Sequence, residues 1–255
     1  MTYFRERCDV LLIFDENSNC DWLNIVEMRM LILDVPFSQK DDAKARGARW
    51  NPELKKWTCS YRKDYIKFLH WLKEYKHFSP LLSAYGGDYE FDIACDTMYI
   101  AEGKKICSEC SKVISVIGFA YEYIFSYLLY PDRHVYNFCY DDLSISSYLD
   151  INTPHYIIEI LKENFNFSEY YTEANGLVRY ANYCPYCQSM QKTYEVGRSD
   201  NPFDITTKEN AQKVTLHSLK LKYDYVLLEG YGICTADWLV RKYAKQGKVF
   251  STSSY

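Results

Sequence analysis

Between residues 30 and 76 the spacing of apolar positions changes character several times, and each change predicts an element. Met30-Leu-Ile-Leu-Asp-Val35 is a nearly unbroken apolar run with β-branched Ile32 and Val35, closed by Pro36, and predicts a strand. Ser38 stands three residues before Asp41, a capping-box-like start for a helix running through Ala48. Asn51-Pro52 predicts a turn. Over 55–61, Trp57, Cys59 and Tyr61 alternate with polar residues, as in a half-buried strand. Tyr65, Phe68, Leu69, Leu72 and Tyr75 then recur at helical spacing and predict an amphipathic helix over 62–76. The unit reads strand, helix, strand, helix.

The flanking sequence is patterned differently. Val10–Phe14 is a short apolar run followed by turn-forming Asp15–Cys20, a strand and a loop. Gly86-Gly87 is the best linker, which divides the chain into an N-terminal α+β unit, 1–85, and a second domain, 88–255. In the second domain Met98–Ala101, Val113–Phe119, Leu177–Tyr183, Val214–Leu216 and Tyr225–Leu228 read as strands, and 120–150 reads as aromatic and irregular. Thr153-Pro154 predicts a helix start, with Ile157, Ile160, Leu161 and Phe165 on the apolar face. Thr235 predicts the cap of a last helix that Gly247 ends. The fold class is therefore α+β: a small strand-helix unit followed by a β-rich domain.

Two short motifs carry chemistry. Cys107-Ser-Glu-Cys110 and Cys184-Pro-Tyr-Cys187 each follow a predicted strand and precede extended chain. Two such tips supply the four soft ligands of a closed tetrahedral Zn2+ site, as in a zinc ribbon. The 73 residues Ser111–Tyr183 between the pairs form an insertion, 111–183, that convergence of the tips in space accommodates. The competing readings are two unrelated reduced pairs, or a redox Cys-Pro-Tyr-Cys. Redox chemistry requires the thiolate at a helix N-terminus, whereas the residues after Cys187 favour a strand. Of the other cysteines, Cys8, Cys20, Cys59, Cys95, Cys139 and Cys234 read as buried small hydrophobes, with His134 and Cys139 a weaker metal half-site.

Composition excludes several classes. No run approaches the ~18 apolar residues of a membrane helix, and the start lacks the pattern of a secretory signal. Ten cysteines, four in metal spacing, suit a reducing compartment, so the expected location is cytoplasmic. With 10 glycines the chain has no Gly-rich phosphate loop, and its five histidines form no zinc-protease or nucleophile–base pattern. No catalytic constellation is complete, so the expected role is non-enzymatic.

Charge is segregated although the net is only −4. Gln39–Lys76 holds 11 Lys/Arg against 5 Asp/Glu, a net of +6, and Ser83–Gly176 holds 5 against 15, a net of −10. In the basic segment Lys40, Lys44, Arg46, Arg49, Lys55 and Lys56 flank Trp50 and Trp57. Cations interleaved with aromatics suit a nucleic-acid strand: the cations meet phosphates and the rings stack on bases. The plainer reading makes both tryptophans core and the cations a solvated face. The acidic segment would repel nucleic acid, and as a mimic of it could cover a basic groove on a protein complex.

The same residues resemble a known family. Leu33-Asp-Val-Pro-Phe37, Lys40, Ala43-Lys44, Gly47-Ala-Arg-Trp50 and Lys55-Lys-Trp57 are similar to a short bacterial and phage domain of unknown function with the pattern L-x-V-P-[YF]-x-x-K-x-x-A-K-x-x-G-A-R-W and then K-x-W, over residues 30 to 75. A further likeness covers Ala181-Asn-Tyr-Cys-Pro-Tyr-Cys187 through Gln191, where Gln188 stands in place of the usual Gly. The resemblance implies zinc and a phage, mobile-element or DNA-processing neighbourhood, primase-like and antirestriction proteins among them. The expectation is a zinc-stabilised binding protein that contacts nucleic acid. Its rivals are a protein-binding inhibitor of a bacterial defence complex and a nucleic-acid-processing enzyme with an unrecognised site.

Overall fold

The computed structural model describes residues 30–75, 89–129, 135–140, 143–172, 177–191, 201–228 and 238–252. The chain is α+β, as its pattern predicts. The strand and loop expected over 10–20, the Gly86-Gly87 linker and Thr235 lie outside the described residues.

The first unit is a small antiparallel sheet of β1 (Leu31–Leu33), β2 (Arg49–Asn51) and β3 (Lys56–Cys59), ordered β1-β3-β2. The β2 strand adds to the predicted order. It forms because Asn51 Oδ1 accepts from the Glu53 and Leu54 N–H groups, a side-chain-closed turn that folds β3 back on it. Between β1 and β2 runs a 3-10 turn, Phe37–Gln39, and then helix α1, Lys40–Ala45. The predicted Ser38 capping box does not form, because Ser38 lies inside the 3-10 turn and no side chain caps α1.

Helix α1 ends before Ala48 for a reason written in the family-like motif. Gly47 takes φ +103°, its N–H bonds to Lys44 C=O (3.0 Å), and Ala48 N–H bonds to Ala43 C=O (2.9 Å). This is the left-handed glycine helix stop, with Ala43 and Ala48 both buried beneath it. The spacing A-K-x-x-G-A is therefore a backbone device that turns a helix into the edge strand carrying Arg49 and Trp50. The helix predicted over 62–76 is instead a 3-10 helix, Arg62–Trp71, which buries Tyr65, Phe68, Leu69 and Trp71.

The body is a six-stranded sheet built on a long hairpin, β4 (Tyr89–Ile106) and β5 (Val113–Leu129). The stretch expected to be irregular holds the second half of β5 and also β6, Val135–Tyr140, antiparallel to it. Strand β10 (Thr215–Lys220) pairs antiparallel with β4 and parallel with the edge strand β12 (Lys245–Phe250); β11 (Tyr225–Leu227) also pairs with β4. Both faces of this sheet are covered. Helix α2, His155–Asn164, packs Ile157, Ile160 and Leu161 against Ile100, Ile117 and Phe119. Segments around Leu143, Phe203, Val214, helix α3 (Lys208–Ala211) and helix α4 (Trp238–Tyr243) cover Ala101, Val116 and Ala120 on the other face. Two-sided burial explains why β5 reads as nearly continuous apolar sequence. Thr153 does not cap α2 through its side chain; Pro154 occupies the cap position.

Gly247, expected to stop the last helix, lies within β12, and α4 stops at Tyr243. A Cβ on Gly247 would come within 2.5 Å of the His217 ring, so the glycine makes room for that buried side chain. A third sheet contains β7 (Phe167–Thr172), β8 (Leu177–Tyr183) and β9 (Met190–Gln191). Asn182 at the end of β8 bonds both the N–H (2.7 Å) and the C=O (2.9 Å) of Ile117, pinning this sheet to β5. The 111–183 stretch thus contributes strands to the body of the protein.

Among the described residues no helix is long and apolar enough to cross a membrane.

Candidate metal centre and basic face

Cys107 and Cys110 sit in the turn between β4 and β5, and Cys184 and Cys187 in the turn between β8 and β9. The two turns have the same backbone. In the first, Cys107 N–H bonds to Lys112 C=O (2.9 Å), Ser111 N–H bonds to Cys107 C=O (3.1 Å), and Ser111 takes φ +57°. In the second, Cys184 N–H bonds to Ser189 C=O (2.9 Å), Gln188 N–H bonds to Cys184 C=O (2.9 Å), and Gln188 takes φ +61°. Gln188 thus holds a left-handed conformation that glycine would adopt without steric cost.

The two tips meet. Cys107 Sγ lies 3.7 Å from Cys187 Sγ, Cys110 Sγ lies 3.6 Å from Cys184 Sγ, and all four sulfurs fall within 4.8 Å of one another. A tetrahedral metal with about 2.3 Å bonds to sulfur requires sulfur–sulfur edges of about 3.8 Å. The four cysteines are thus positioned to bind one metal ion. Their surroundings match: the Ser189 hydroxyl reaches Cys187 Sγ (3.1 Å) and Cys107 Sγ (3.4 Å), and buried Gln191 donates Nε2–H to Cys107 Sγ (3.4 Å). Hydrogen bonds from the Cys110 backbone and the Ser189 hydroxyl draw the Cys107 thiol down to about 5. Cys110 moves the other way, to about 11; its bond from the Lys112 backbone is outweighed by burial and by the neighbouring sulfurs. Four thiols in one small space cannot all ionise unless a cation joins them, which is the electrostatic case for a metal. No helix begins at Cys187; the chain turns into β9, so the helix-terminus setting of a redox pair is missing there.

Cys59 and Cys95 are buried, as expected of small hydrophobes, and burial pushes both thiols up, Cys59 to about 11. Cys8, Cys20, Cys234 and His134 lie outside the described residues, as does the side chain of Cys139.

The structure sorts the eight residues of the basic segment. Trp50 is 53% exposed on edge strand β2 and meets Trp57 edge-on at 5.8 Å across the β2–β3 pair. Trp57 packs against the unit's core, and Trp50, on the same face but at the sheet edge, is left half exposed. Arg46 pairs with Asp42 (3.1 Å), Lys56 lies 3.9 Å from Asp34, and Lys40 lies over the exposed ring of Phe37 (4.1 Å). Among the described residues Lys44, Arg49 and Lys55 have no carboxylate partner.

One polar centre escaped the sequence reading. Arg62 reaches Asp96 (2.7 Å) and Asp224 (3.0 Å), and Tyr65 OH donates to Asp224 (2.7 Å), all at the junction of the first unit with the large sheet. Burial alone would strip the Arg62 charge, but the surrounding negative groups, Asp224 and Asp96 among them, hold it charged. Leu31, Leu33, Tyr65 and Phe68 share one core with Ile93, Cys95, Phe125 and Val226 of the sheet. Asp224 lies 162 positions from Arg62 in the chain, and no local pattern marks the pair.

Comparison of the chain with curated proteins and with solved structures gave no match. Residues 30–73, the strand-helix unit whose glycine stop and half-exposed tryptophan are described above, match the family model for "Domain of unknown function (DUF5710)".

Proposed function

We propose that this chain is a cytoplasmic, zinc-stabilised binding protein whose 30–75 unit contacts nucleic acid. The observation that carries the reading is Trp50: a large aromatic left half exposed on an edge strand, with Arg49 next to it and Lys44 and Lys55 nearby in the chain, none of the three engaged by a carboxylate among the described residues. A half-exposed ring with free cations suits stacking on a base and contact with backbone phosphates. Zinc is the metal proposed because four thiolates at tetrahedral spacing suit it and require no redox change. A site closed by four sulfurs leaves no open coordination position, so the metal's role is to hold two hairpin tips together.

A phage or mobile-element setting accords with the resemblance carried by Leu33 to Trp57. The rival reading, an acidic surface that mimics nucleic acid, has less to draw on. Asp92 and Asp96 of the acidic segment are buried, and Glu102 bonds His217 (3.2 Å).

The test is binding of labelled single-stranded DNA, duplex DNA and RNA by fluorescence anisotropy over a range of salt. Affinity should fall with salt, and Trp50→Ala should weaken it by roughly tenfold, about the worth of one stacked base. Absence of binding to all three, or binding unchanged in Trp50→Ala and in a Lys44/Arg49/Lys55 charge-reversal variant, would reject the reading.

A further inference from the structure

A second basic site lies at the other end of the molecule, outside the 30–75 unit. Strands β4, β10 and β12 are neighbours in the large sheet, and at one end of it Thr215 is paired with both Glu102 and Lys245. Beyond that row β4 continues through Lys104 and Lys105, while β10 is entered from Lys213. Lys245 N–H bonds to Val214 C=O (2.9 Å), which fixes the start of β12 beside Lys213. Three segments far apart in sequence therefore bring Lys104, Lys105, Lys213 and Lys245 to the rim of one groove of about 750 Å³.

The rest of the groove is suited to an anion. Its lining includes Asn201, Thr206 and Asn210, which offer neutral hydrogen-bonding groups, and Asp204 is the one carboxylate residue on the wall. Lys213 and Lys245 are exposed cations of this wall, set against one aspartate, in a protein whose net charge is −4. Lys104 is partly engaged by Glu102 (3.9 Å) and Ser115, and Lys105 is buried. Lys213 and Lys245 are exposed and, among the described residues, have no carboxylate partner. Lys213 and Lys245 repel each other in one concavity, so an anion that occupies it is favoured. The volume lies within the range of small-ligand clefts, roughly 300–1,000 Å³.

We infer that this groove is a binding site for a phosphate-bearing ligand, held by Lys213 and Lys245. The groove also adjoins the metal centre, because Ile106 on its wall precedes Cys107 directly. The metal thus fixes the strand end that carries two of the four lysines. The site does not depend on Trp50, and it stands whether or not the 30–75 unit binds nucleic acid.

The experiment uses the metal-loaded full chain, titrated with pyrophosphate, with a nucleoside triphosphate and with a short oligonucleotide, against sulfate-free chloride buffer at equal ionic strength. Isothermal calorimetry reads the affinity, and circular dichroism confirms folding of each variant. Saturable binding of pyrophosphate or the triphosphate identifies a small phosphorylated ligand; binding of the oligonucleotide alone identifies a strand backbone. In either case Lys213→Glu with Lys245→Glu should weaken binding at least tenfold, while Lys63→Glu should leave it within twofold. The inference is overturned if none of the three probes binds, or if the folded double variant binds as tightly as the parent. Loss of binding in Trp50→Ala with the double variant unaffected would likewise overturn it and assign the phosphate contact to the 30–75 unit.

Discussion

The four-cysteine centre and the Arg62 centre both join parts of the chain that are far apart, but they are made differently. Each half of the cysteine centre is a preformed local loop: two cysteines three positions apart, a left-handed residue after the second, and two backbone hydrogen bonds that aim the sulfurs. Only the docking of one loop on the other is long-range. The Arg62 centre has no local half. Arg62 and Tyr65 come from a 3-10 helix, Asp96 from a bulged position in β4 where it takes φ +64°, and Asp224 from the turn before β11. A metal supplies its own attraction to ligands that each turn already presents. An ion cluster in a core repays its desolvation only when every partner arrives in place. The first kind of joint tolerates a long insertion, and the second depends on the whole surrounding fold.

That contrast can be broken at either end. The largest effect is expected from removing the metal. Cys107→Ser or Cys184→Ser should abolish metal content and with it cooperative thermal unfolding, since structural zinc contributes on the order of 10 kcal/mol to small zinc-dependent folds. A double Cys107→Ser/Cys184→Ser variant that stays folded with its full metal content would show that the two pairs do not share one ion.

Next in size is Arg62→Met, which strands Asp96 and Asp224 inside the protein and should cost about 3–5 kcal/mol in urea unfolding. Adding Asp96→Asn and Asp224→Asn should recover much of that loss, because the buried charges leave with their partner. Hydrogen exchange should place the damage in β1 and β3, with the cysteine hairpin tips still protected.

Tyr65→Phe removes one hydrogen bond to a charged acceptor and should cost about 1.5–3 kcal/mol. It also separates packing from polarity, because the ring stays in the core while Asp224 loses the partner at 2.7 Å.

The smallest change sharpens the other side. Gln188→Gly relieves a left-handed non-glycine residue and should stabilise by about 0.5–1 kcal/mol. Ser111→Gly should match it, since the two turns share one backbone. Unequal gains would mean that the turns are not energetically equivalent.

Legibility in the sequence follows the same division. The apolar run of β1 and the alternation of β3 are set by a few consecutive residues, so spacing alone reveals them, whereas the expectation of a helix through Ala48 overlooked the stop at Gly47. Strand β2 was missed because three residues carry too little alternation, and its existence depends on the turn that Asn51 closes. The second half of β5 and β6 were missed because their aromatic residues repeat without a clear period. Gly247 was misread because a glycine shortly after a helix is the usual helix stop. Its actual reason, the His217 ring, arrives from 30 positions away.

The sequence by itself marked the α+β class, the family-like unit and the two cysteine pairs as candidate metal ligands. Each is marked by patterns within a few residues, where backbone geometry and side-chain period decide the outcome. Only the tertiary structure decided that Trp50 is left half exposed at the sheet edge while Trp57 joins the core. It alone brought Arg62 to Asp224 and gathered lysines from three segments into one groove. Those outcomes depend on which distant surfaces exclude water together, and burial of that kind leaves no mark on local spacing.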